Sequence, residues 1–263
     1  MLDNKVKAYA LKLFEALENR QAINPLTTDD PDFDVKIAYD VQLENVKRKL
    51  DSGDVISGKK IGLTSLPMQE MFGVNEPDYG HLFASMDCKD NKIDSSKLLQ
   101  PKIEAELAFV LKSDLTGGNI TVEDVDEATD YIVAAFEIVD SRIADWKIKL
   151  PDTVADNASS GCYVLGKTKV EPKTKDLTSC FMSLYKEVNG IYELVNEGYG
   201  SAVLDDPRIA VAWLANKLWE FGVPLKANEV ILSGAFSAAS QAFKGDKFKA
   251  EFDYFGILEA EFV

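Results

Sequence analysis

The sequence predicts an α+β fold in which two amphipathic helices precede a largely antiparallel sheet that is rolled or sandwiched. Apolar residues recur at three- and four-residue spacing near the start of the chain, whereas short β-branched and aromatic runs with turn residues between them dominate from residue 59 onward. Strand and helix signals do not alternate regularly there, so a doubly wound sheet is not expected. We therefore divide the 263 residues into an N-terminal helical region, residues 1 to 55, and a β-rich domain, residues 56 to 263.

The helical region should contain two helices. The first is predicted from Leu2 to about Asn19, because its apolar residues return to one face of a helix. The second spans Tyr39 to Leu50, and Gly53 is expected to end it.

Local signals also place several elements of the β-rich domain. Thr121 and Asp124 form a capping box that should open a helix running to about residue 130, and Asn189-Gly190 predicts a β-hairpin. Asp206-Pro207 should start another helix, which Gly222 ends. The last strands are predicted at residues 229–232, 247–252 and 257–263.

Three glutamates lie inside predicted strands. Glu104 and Glu106 belong to the run from residue 102 to 110, and Glu137 belongs to the run from 131 to 139. Side chains alternate along a strand, so Glu104 and Glu106 should share one face, about 6.7 Å apart. Such a pair is ordinarily a solvated face of an antiparallel sheet. Glu137, however, has no polar alternation around it, which is typical of a strand covered on both faces.

Buried carboxylates require compensation, because an unpaired buried anion costs much free energy. The remedies are cationic partners, raised pKa values or a divalent metal ion. Three carboxylates suit Mg²⁺ or Mn²⁺ better than Zn²⁺, which prefers histidine and cysteine.

Composition narrows the classes of partner and compartment. The net charge of −15 argues against nucleic acid or an anionic membrane as a partner. Cys88, Cys162 and Cys180 are too scattered for a disulfide framework or zinc site, so a cytoplasmic location is expected. No basic segment with a following apolar core is found near the start, and no apolar run is long enough to span a membrane.

A lysine, an aspartate and the sole histidine could take part in chemistry. Lys60 stands between glycines and is either a solvated turn residue or, if it points into an acidic pocket, a group that complements charge on a substrate oxygen or shuttles a proton. Asp78 is by default a turn former and becomes a candidate for proton transfer only if it lies close by. Because His81 is the only histidine and no Gly-x-Ser-x-Gly occurs, covalent hydrolysis is not expected.

A polar stretch follows the Glu137 strand, from Asp140-Ser-Arg142 to residues 152–160, which contain Asp156 and Ser160. It could be an exposed connection. Its hydroxyls, amides and guanidinium would equally suit recognition of a small carboxylate.

Five segments together resemble the 2-oxopent-4-enoate (2-keto-4-pentenoate) hydratases of aromatic meta-cleavage pathways, members of the fumarylacetoacetate hydrolase superfamily. The segments are Lys60-Ile-Gly-Leu-Thr-Ser65, Gln100-Pro-Lys-Ile-Glu-Ala-Glu106, Phe136-Glu-Ile-Val-Asp-Ser-Arg-Ile-Ala-Asp-Trp146, Asp152-Thr-Val-Ala-Asp-Asn-Ala-Ser-Ser160 and Ala210-Val-Ala-Trp-Leu-Ala-Asn216. The resemblance implies a rolled mixed β-sandwich as the catalytic domain, assembly into homo-oligomers, and hydration of a 2-hydroxy-2,4-dienoate (2-oxo-4-enoate) to a 4-hydroxy-2-oxo acid.

The resemblance also implies roles for individual residues. Glu104, Glu106 and Glu137 would hold Mg²⁺ or Mn²⁺, which would bind the 2-oxo and carboxylate oxygens of the substrate. Lys60 and Asp78 match positions that transfer protons and polarise the substrate. The predicted substrate-binding residues are Leu63, Asp156 and Ser160.

Two alternatives stay open at the level of the sequence. The 4-oxalocrotonate decarboxylases share the same acidic trio and lysine, although residues 142–148 look more like the hydratases. A metal-binding protein without catalytic activity is the other alternative, but such a protein would need neither Lys60 nor Asp78. His81 and Asp205-Asp206 depart from the pattern of the hydratases, which leaves the exact substrate open.

Overall fold

The computed structural model describes residues 2–72, 74 and 76–263. Two long helices and one short helix form its first part: α1 (Leu2–Asn19), α2 (Leu26–Asp29) and α3 (Val35–Asp51). The side chain of Asp34 accepts a hydrogen bond of 2.8 Å from the backbone N–H of Ile37 and so caps α3. Beyond α3, Gly53 adopts the left-handed φ of 94° that few other residues tolerate. Both predicted N-terminal helices are therefore present.

The rest of the chain contains twelve strands and four further α-helices among the described residues. The strands are β1 (Ile56–Gly62), β2 (Asp78–Phe83), β3 (Lys92–Ile93), β4 (Lys102–Leu111), β5 (Thr129–Val139), β6 (Ser160–Leu165), β7 (Phe181–Val188), β8 (Ile191–Tyr199), β9 (Val230–Ala235), β10 (Ser240–Gln241), β11 (Lys247–Phe252) and β12 (Gly256–Phe262). The helices are α4 (Leu66–Phe72), α5 (Val122–Ala128), α6 (Leu150–Ala155) and α7 (Pro207–Trp219).

These strands form two mixed sheets. The first has the order β2-β1-β9-β4-β5-β6, with β10 paired to β4, and the second has the order β3-β12-β11-β7-β8. Most pairs are antiparallel, whereas β1 with β9 and β12 with β3 are parallel. The predicted α+β class, with a largely antiparallel sheet and helices at the start of the chain, is confirmed. The α3 helix packs against α6 of the β-rich part, and the division into regions 1–55 and 56–263 stays a prediction.

Local signals in the sequence account for the turns and caps. The capping box of Thr121 and Asp124 opens α5, which ends at Ala128, slightly earlier than predicted, because the chain enters β5 at the next residue. Asn189 and Gly190 have φ values of 52° and 82°, as a tight hairpin between β7 and β8 requires.

The two faces of β4 have different surroundings. Ile103, Ala105 and Leu107 are fully buried in the main apolar core. On the opposite face, Ala108 belongs to a second, smaller apolar cluster, and the two glutamates precede it on that face. The site therefore lies on the face of the first sheet that turns away from the main core.

Among the described residues, no helix combines the length and the apolar character that crossing a lipid bilayer requires.

Candidate metal centre and active site

The strand register brings the three glutamates together. Glu104 on β4 lies directly opposite Glu137 on β5, and Glu106 follows two residues further on the same face. One carboxylate oxygen from each lies within 4.8 Å of the others. Glu106 is 0% exposed and Glu104 is half-buried, so the Glu-x-Glu pair does not form a solvated face, and Glu137 beside it is 1% exposed.

These carboxylates lack the hydrogen bonds that buried oxygens normally have. Glu106 Oε2 accepts a hydrogen bond of 2.9 Å from the backbone N–H of Gly234 on β9. Within the described part of the chain, Glu106 Oε1 and both oxygens of Glu137 accept no hydrogen bond of good geometry, although the Lys60 ammonium group forms an ion pair with Glu137 Oε1 at 3.4 Å. A divalent cation with a preference for hard oxygen ligands would satisfy them, and the donor set contains only oxygen. The residues therefore fit a hard divalent cation.

The pKa values reflect this crowding of negative charge. Burial raises the pKa of Glu106 well above its usual range, and repulsion from Glu137 adds to the effect. Burial likewise raises the pKa of Glu137 to about 8, against the attraction of Lys60. Without a metal the cluster therefore retains protons near neutral pH, and a divalent cation would have to displace them.

Lys60 is not in a turn, because it lies in the middle of β1 and is 2% exposed. Its Nζ is 3.4 Å from Glu137 Oε1 and donates a hydrogen bond of 3.1 Å to the carbonyl oxygen of Ala158. Burial by itself would lower the pKa of Lys60, but the nearby carboxylates Glu137 and Asp78 outweigh it and raise that pKa. Lys60 is therefore held as a charged ammonium group.

Asp78 lies at the start of β2, opposite Gly62 of β1. The hydroxyl of Thr153 donates a hydrogen bond of 2.6 Å to Asp78 Oδ2, and Oδ1 has no donor among the described residues. A Cβ atom on Gly62 would lie 2.2 Å from Asp78 Oδ1 and 2.9 Å from Lys60 Nζ. A glycine at position 62 is therefore what allows these two groups to approach each other.

A cavity of about 900 Å³ opens onto this site. Lys60, Asp78, Glu104 and the predicted substrate-binding residue Leu63 all line it. Much of the remaining wall is apolar, with contributions from Leu66, Met68, Val139, Trp146, Ile148, Leu204, Ile209, Trp213 and Phe236. The cavity thus has a charged part and large apolar surfaces, as a site for a small acid with a hydrocarbon tail would need.

The structure does not bring Asp156 and Ser160 into this cavity. Asp156 is bound to Arg142, whose backbone N–H donates a hydrogen bond of 2.9 Å to Asp156 Oδ2 and whose guanidinium group pairs with Oδ1. Burial raises the pKa of Asp156 to about 6, against the attraction of Arg142. The Ser160 hydroxyl donates to the carbonyl oxygen of Asn157 at 2.8 Å, and both predicted residues line a separate cavity of about 80 Å³.

A tight turn between Asp156 and Ser160 explains why these two residues do not line the large cavity. Asn157, Ala158 and Ser159 have left-handed φ values of 56°, 50° and 54°. This turn presents Ala158 and Ser159 to the large cavity, whereas Asp156 and Ser160 lie on its other side. Their assignment as substrate-binding residues rested on the polar character of the segment and the family resemblance, neither of which shows which side chains face the cavity.

Sequence reasoning missed three contributions to the site: the hydroxyl of Thr153, the carbonyl group of Ala158 and the backbone N–H of Gly234. Thr153 and Ala158 lie in the polar segment from 152 to 160, so that segment carried a signal for them. Gly234 had none, because a backbone donor depends on where its strand is placed. His81, in contrast, is buried away from the cavity, with Nδ1 2.9 Å from Gln42 Oε1.

Comparisons with known proteins agree with this architecture. Residues 88–263 match the family described as fumarylacetoacetate (FAA) hydrolase, C-terminal. The chain is 44% identical over 261 residues to a 2-hydroxyhexa-2,4-dienoate hydratase from Comamonas testosteroni, covering 98% of this chain and 97% of the relative. It is also 44% identical over 254 residues to a 2-keto-4-pentenoate hydratase from Paraburkholderia xenovorans, covering 96% and 93%.

A solved structure with a similar fold is 4-oxalocrotonate decarboxylase from Pseudomonas putida G7, complexed with magnesium and adipate, with a TM-score of 0.94, 36% identity and coverage of 99% and 98%. The full-length similarity to the two hydratases defines an enzyme of the hydro-lyase class. The chain belongs to the fumarylacetoacetate hydrolase family, within the group of 2-keto-4-pentenoate hydratases. The resemblance noted in the sequence is thereby confirmed.

Proposed function

We propose that this protein is a divalent-metal-dependent hydratase that adds water to a 2-hydroxy-2,4-dienoate and yields a 4-hydroxy-2-oxo acid. The observation that carries this proposal is the 44% identity, over nearly the whole of both chains, to a 2-hydroxyhexa-2,4-dienoate hydratase. The arrangement of Lys60 and Asp78 beside the carboxylates of Glu104, Glu106 and Glu137 supports it.

The chemistry requires two proton transfers and one addition. The 2-hydroxyl group of the dienoate must first lose its proton while C5 gains one, which gives the 2-oxo group and leaves a C3=C4 double bond in conjugation with it. The oxygen of water then bonds to C4, and the second proton goes to C3. A bound Mg²⁺ or Mn²⁺ would supply a Lewis acid that stabilises negative charge on the 2-oxo oxygen.

The surroundings of Lys60 and Asp78 suggest different roles for them. The raised pKa of Lys60 makes its ammonium group a poor proton donor, so we assign it to electrostatic stabilisation of the developing oxyanion. Asp78 Oδ1 has no donor among the described residues and lies near Lys60, so we assign Asp78 to accept the proton of the attacking water and return it to C3. Thr153 holds the other oxygen of that carboxylate and positions it.

Glu104, Glu106 and Glu137 are proposed as the metal ligands, and Leu63 as a residue that contacts the substrate. For Asp156 we propose a positioning role. Its carboxylate forms an ion pair with Arg142 and thereby fixes the turn that carries the Ala158 carbonyl group.

Decarboxylation of 4-oxalocrotonate is a second candidate, since the decarboxylase from Pseudomonas putida G7 shares this fold with a TM-score of 0.94. Removal of CO₂ from a 2-oxo acid also builds up negative charge on the 2-oxo oxygen, so the same groups could serve it. The higher identity to the hydratases favours hydration.

The two functions can be separated by product analysis. We expect the purified protein, with Mg²⁺, to convert 2-hydroxypenta-2,4-dienoate to 4-hydroxy-2-oxopentanoate and to release little CO₂ from 4-oxalocrotonate. Chelation of the metal should abolish turnover, and Lys60→Met should lower kcat by at least about a hundredfold. Release of CO₂ at a rate above that of hydration would show that the decarboxylase assignment is correct.

We also propose assembly into a homo-oligomer in the cytoplasm. Apolar side chains on the edge strand β8, including Ile191 at 68% and Leu194 at 53% exposure, support association with a second copy. The three cysteines form no disulfide among the described residues, which is compatible with a reducing compartment. Light scattering of the purified protein would give the number of subunits.

A further inference from the structure

Lys102 is a partly buried lysine that lines the same cavity as the metal-binding candidates. It precedes Glu104 by two residues on β4, so its side chain starts on the same face of the sheet, about 6.7 Å along the strand from Glu104. No carboxylate of the described residues lies within salt-bridge distance of its ammonium group. Its Nζ instead lies 4.2 Å from the centroid of the Trp146 ring.

The ring that supports Lys102 is itself held in place. Trp146 Nε1 donates a hydrogen bond of 3.1 Å to the carbonyl oxygen of Gln100, and the backbone N–H of Gln100 donates one of 2.7 Å to Asp140 Oδ1. Trp146 and Asp145 have φ values of 56° and 58°, a left-handed backbone conformation that residues other than glycine rarely adopt unless the surroundings impose it. The ammonium group is thus placed by a fixed ring rather than by a mobile surface contact.

The charges around the cavity indicate what the Lys102 ammonium group can bind. Four carboxylates, those of Glu104, Glu106, Glu137 and Asp78, act on the ammonium group of Lys60. A divalent cation together with Lys60 and Lys102 would balance their charge. Lys60 is already engaged by Glu137 and the Ala158 carbonyl. Of the described residues lining the cavity, Lys102 is therefore the cation that remains available to an incoming carboxylate.

The sheet order separates the two ends of the site. Lys60 and Asp78 come from β1 and β2, whereas Lys102 lies at the beginning of β4, where that strand pairs with β5 and β10. Asp78 and Lys60, which are assigned to proton transfer and charge stabilisation, therefore lie on one side of the three glutamates. Lys102 lies on another side.

We propose that Lys102, supported by Trp146, binds the C1 carboxylate of the substrate and thereby directs C3 to C5 toward Lys60 and Asp78. This inference rests on the proposed function, because it takes the substrate to be a 2-oxo acid or its enol. It makes Lys102 a substrate-positioning residue that discriminates an acid from its uncharged analogues.

Binding of inhibitors tests the proposal without relying on turnover. Calorimetry in Mg²⁺ would compare 2-oxopentanoate with 2-oxopentanamide, which differ at C1 alone, and with the diacid 2-oxohexanedioate. We expect Lys102→Met to weaken 2-oxopentanoate about fivefold to thirtyfold, the range for loss of a partly exposed charge-assisted hydrogen bond, and to change 2-oxopentanamide by less than about twofold. Lys102→Arg should retain most of the affinity for the acid, because it retains the charge.

The matched control is Lys169→Met. Lys169 also stands over an aromatic ring, with Nζ 3.7 Å from the centroid of Tyr131, but it is exposed and does not line the cavity. Equal weakening of acid and amide by Lys102→Met, or no change in either, would overturn the proposal. So would a loss of affinity confined to the diacid, which would assign Lys102 to a distal carboxylate.

A failure of this proposal can be distinguished from a failure of the proposed function. If the wild-type protein binds 2-oxopentanoate but hydrates no dienoate, the hydratase assignment fails and the role of Lys102 in carboxylate binding can still be measured.

Discussion

At the scale of the residue, the three glutamates combine two properties that conflict in a protein without metal: Glu106 and Glu137 are fully buried and Glu104 is half-buried, and all three are acids. Their raised pKa values are the physical expression of that conflict. Sequence reasoning identified all three, because carboxylates inside apolar strands are rare enough to require an explanation. It could not identify which carboxylate oxygens lack a hydrogen-bond donor, because the donors depend on where the backbone of β9 lies.

Glu106→Gln should separate metal binding from folding. It keeps the shape of the side chain and an acceptor for the Gly234 N–H, but removes an anionic ligand. We expect the affinity for Mg²⁺ to fall at least about a hundredfold, while the metal-free protein becomes more stable by about 1–3 kcal/mol, because a buried acid is replaced by a neutral group. Calorimetry with Mg²⁺ and urea unfolding with a chelator would measure the two effects.

Glu193→Gln is the control for this change, because Glu193 is exposed on β8. It should alter neither quantity. Unchanged Mg²⁺ affinity in Glu106→Gln would exclude Glu106 as a ligand.

At the scale of the element, β1 serves the site through its glycines as much as through its lysine. Gly62 leaves the space that the Asp78 carboxylate and the Lys60 ammonium occupy. Lys60 stands between glycines, and the sequence alone left open whether this segment was a turn. The structure shows a strand, paired with β2 on one side and β9 on the other.

Gly62→Ala should therefore damage catalysis more than stability. The added methyl group would lie 2.2 Å from Asp78 Oδ1, so the carboxylate has to move, and its end is flexible enough to do so without unfolding the protein. We expect kcat to fall at least about tenfold and the free energy of unfolding to fall by less than about 2 kcal/mol. Steady-state kinetics and urea unfolding would measure these.

Gly118→Ala offers a comparison, since its Cβ would make only an ordinary contact of 3.5 Å with Trp219. It should leave kcat unchanged. A fully active Gly62→Ala enzyme would argue against a catalytic role for the position of Asp78.

At the scale of the whole molecule, metal binding, proton binding and folding are linked equilibria. In the metal-free protein the folded state holds a proton on Glu137 up to a pKa of about 8, whereas the unfolded chain loses it near the ordinary value of 4.5. The folded state therefore binds more protons in this window, and stability must fall as the pH rises through it. His81 acts with the opposite sign, because burial, and then Lys59, lowers its pKa to about 3, so its contribution falls as the pH drops below 6.5.

In the interval from pH 6.5 to 8 we expect the glutamates to dominate the pH dependence of stability. With a chelator present, the free energy of unfolding should decrease with pH in this interval, by at most about 1.4 kcal/mol per pH unit for each proton. Saturating Mg²⁺ should raise stability and remove or reverse this slope, because metal binding requires deprotonated carboxylates. Denaturant unfolding at several pH values would show this.

Glu137→Gln should flatten the slope in the chelated protein. A metal-free protein that gains stability between pH 6.5 and 8 would contradict the raised pKa of Glu137.

The sequence by itself determined the elements whose signals are local. The Thr121 capping box, the Asn189-Gly190 hairpin and the N-terminal helices depend on residues a few positions apart, and each is present. The same holds for the strands that carry Glu104 and Glu137, since their apolar, β-branched character needs no distant partner to be recognised. Family motifs added the enzyme class.

Only the tertiary structure decided how these elements meet. The register that sets Glu104 opposite Glu137 depends on long-range pairing of strands, as do the arrival of Lys60 from β1 and the donor at Gly234. Asp156 is a further example of a contact that the sequence does not show. Its polar character was visible in the sequence, but its ion pair with Arg142 was not. Contacts between distant residues follow from the packing of the whole chain, and no local pattern records which side chain will face the cavity and which will be bound behind it.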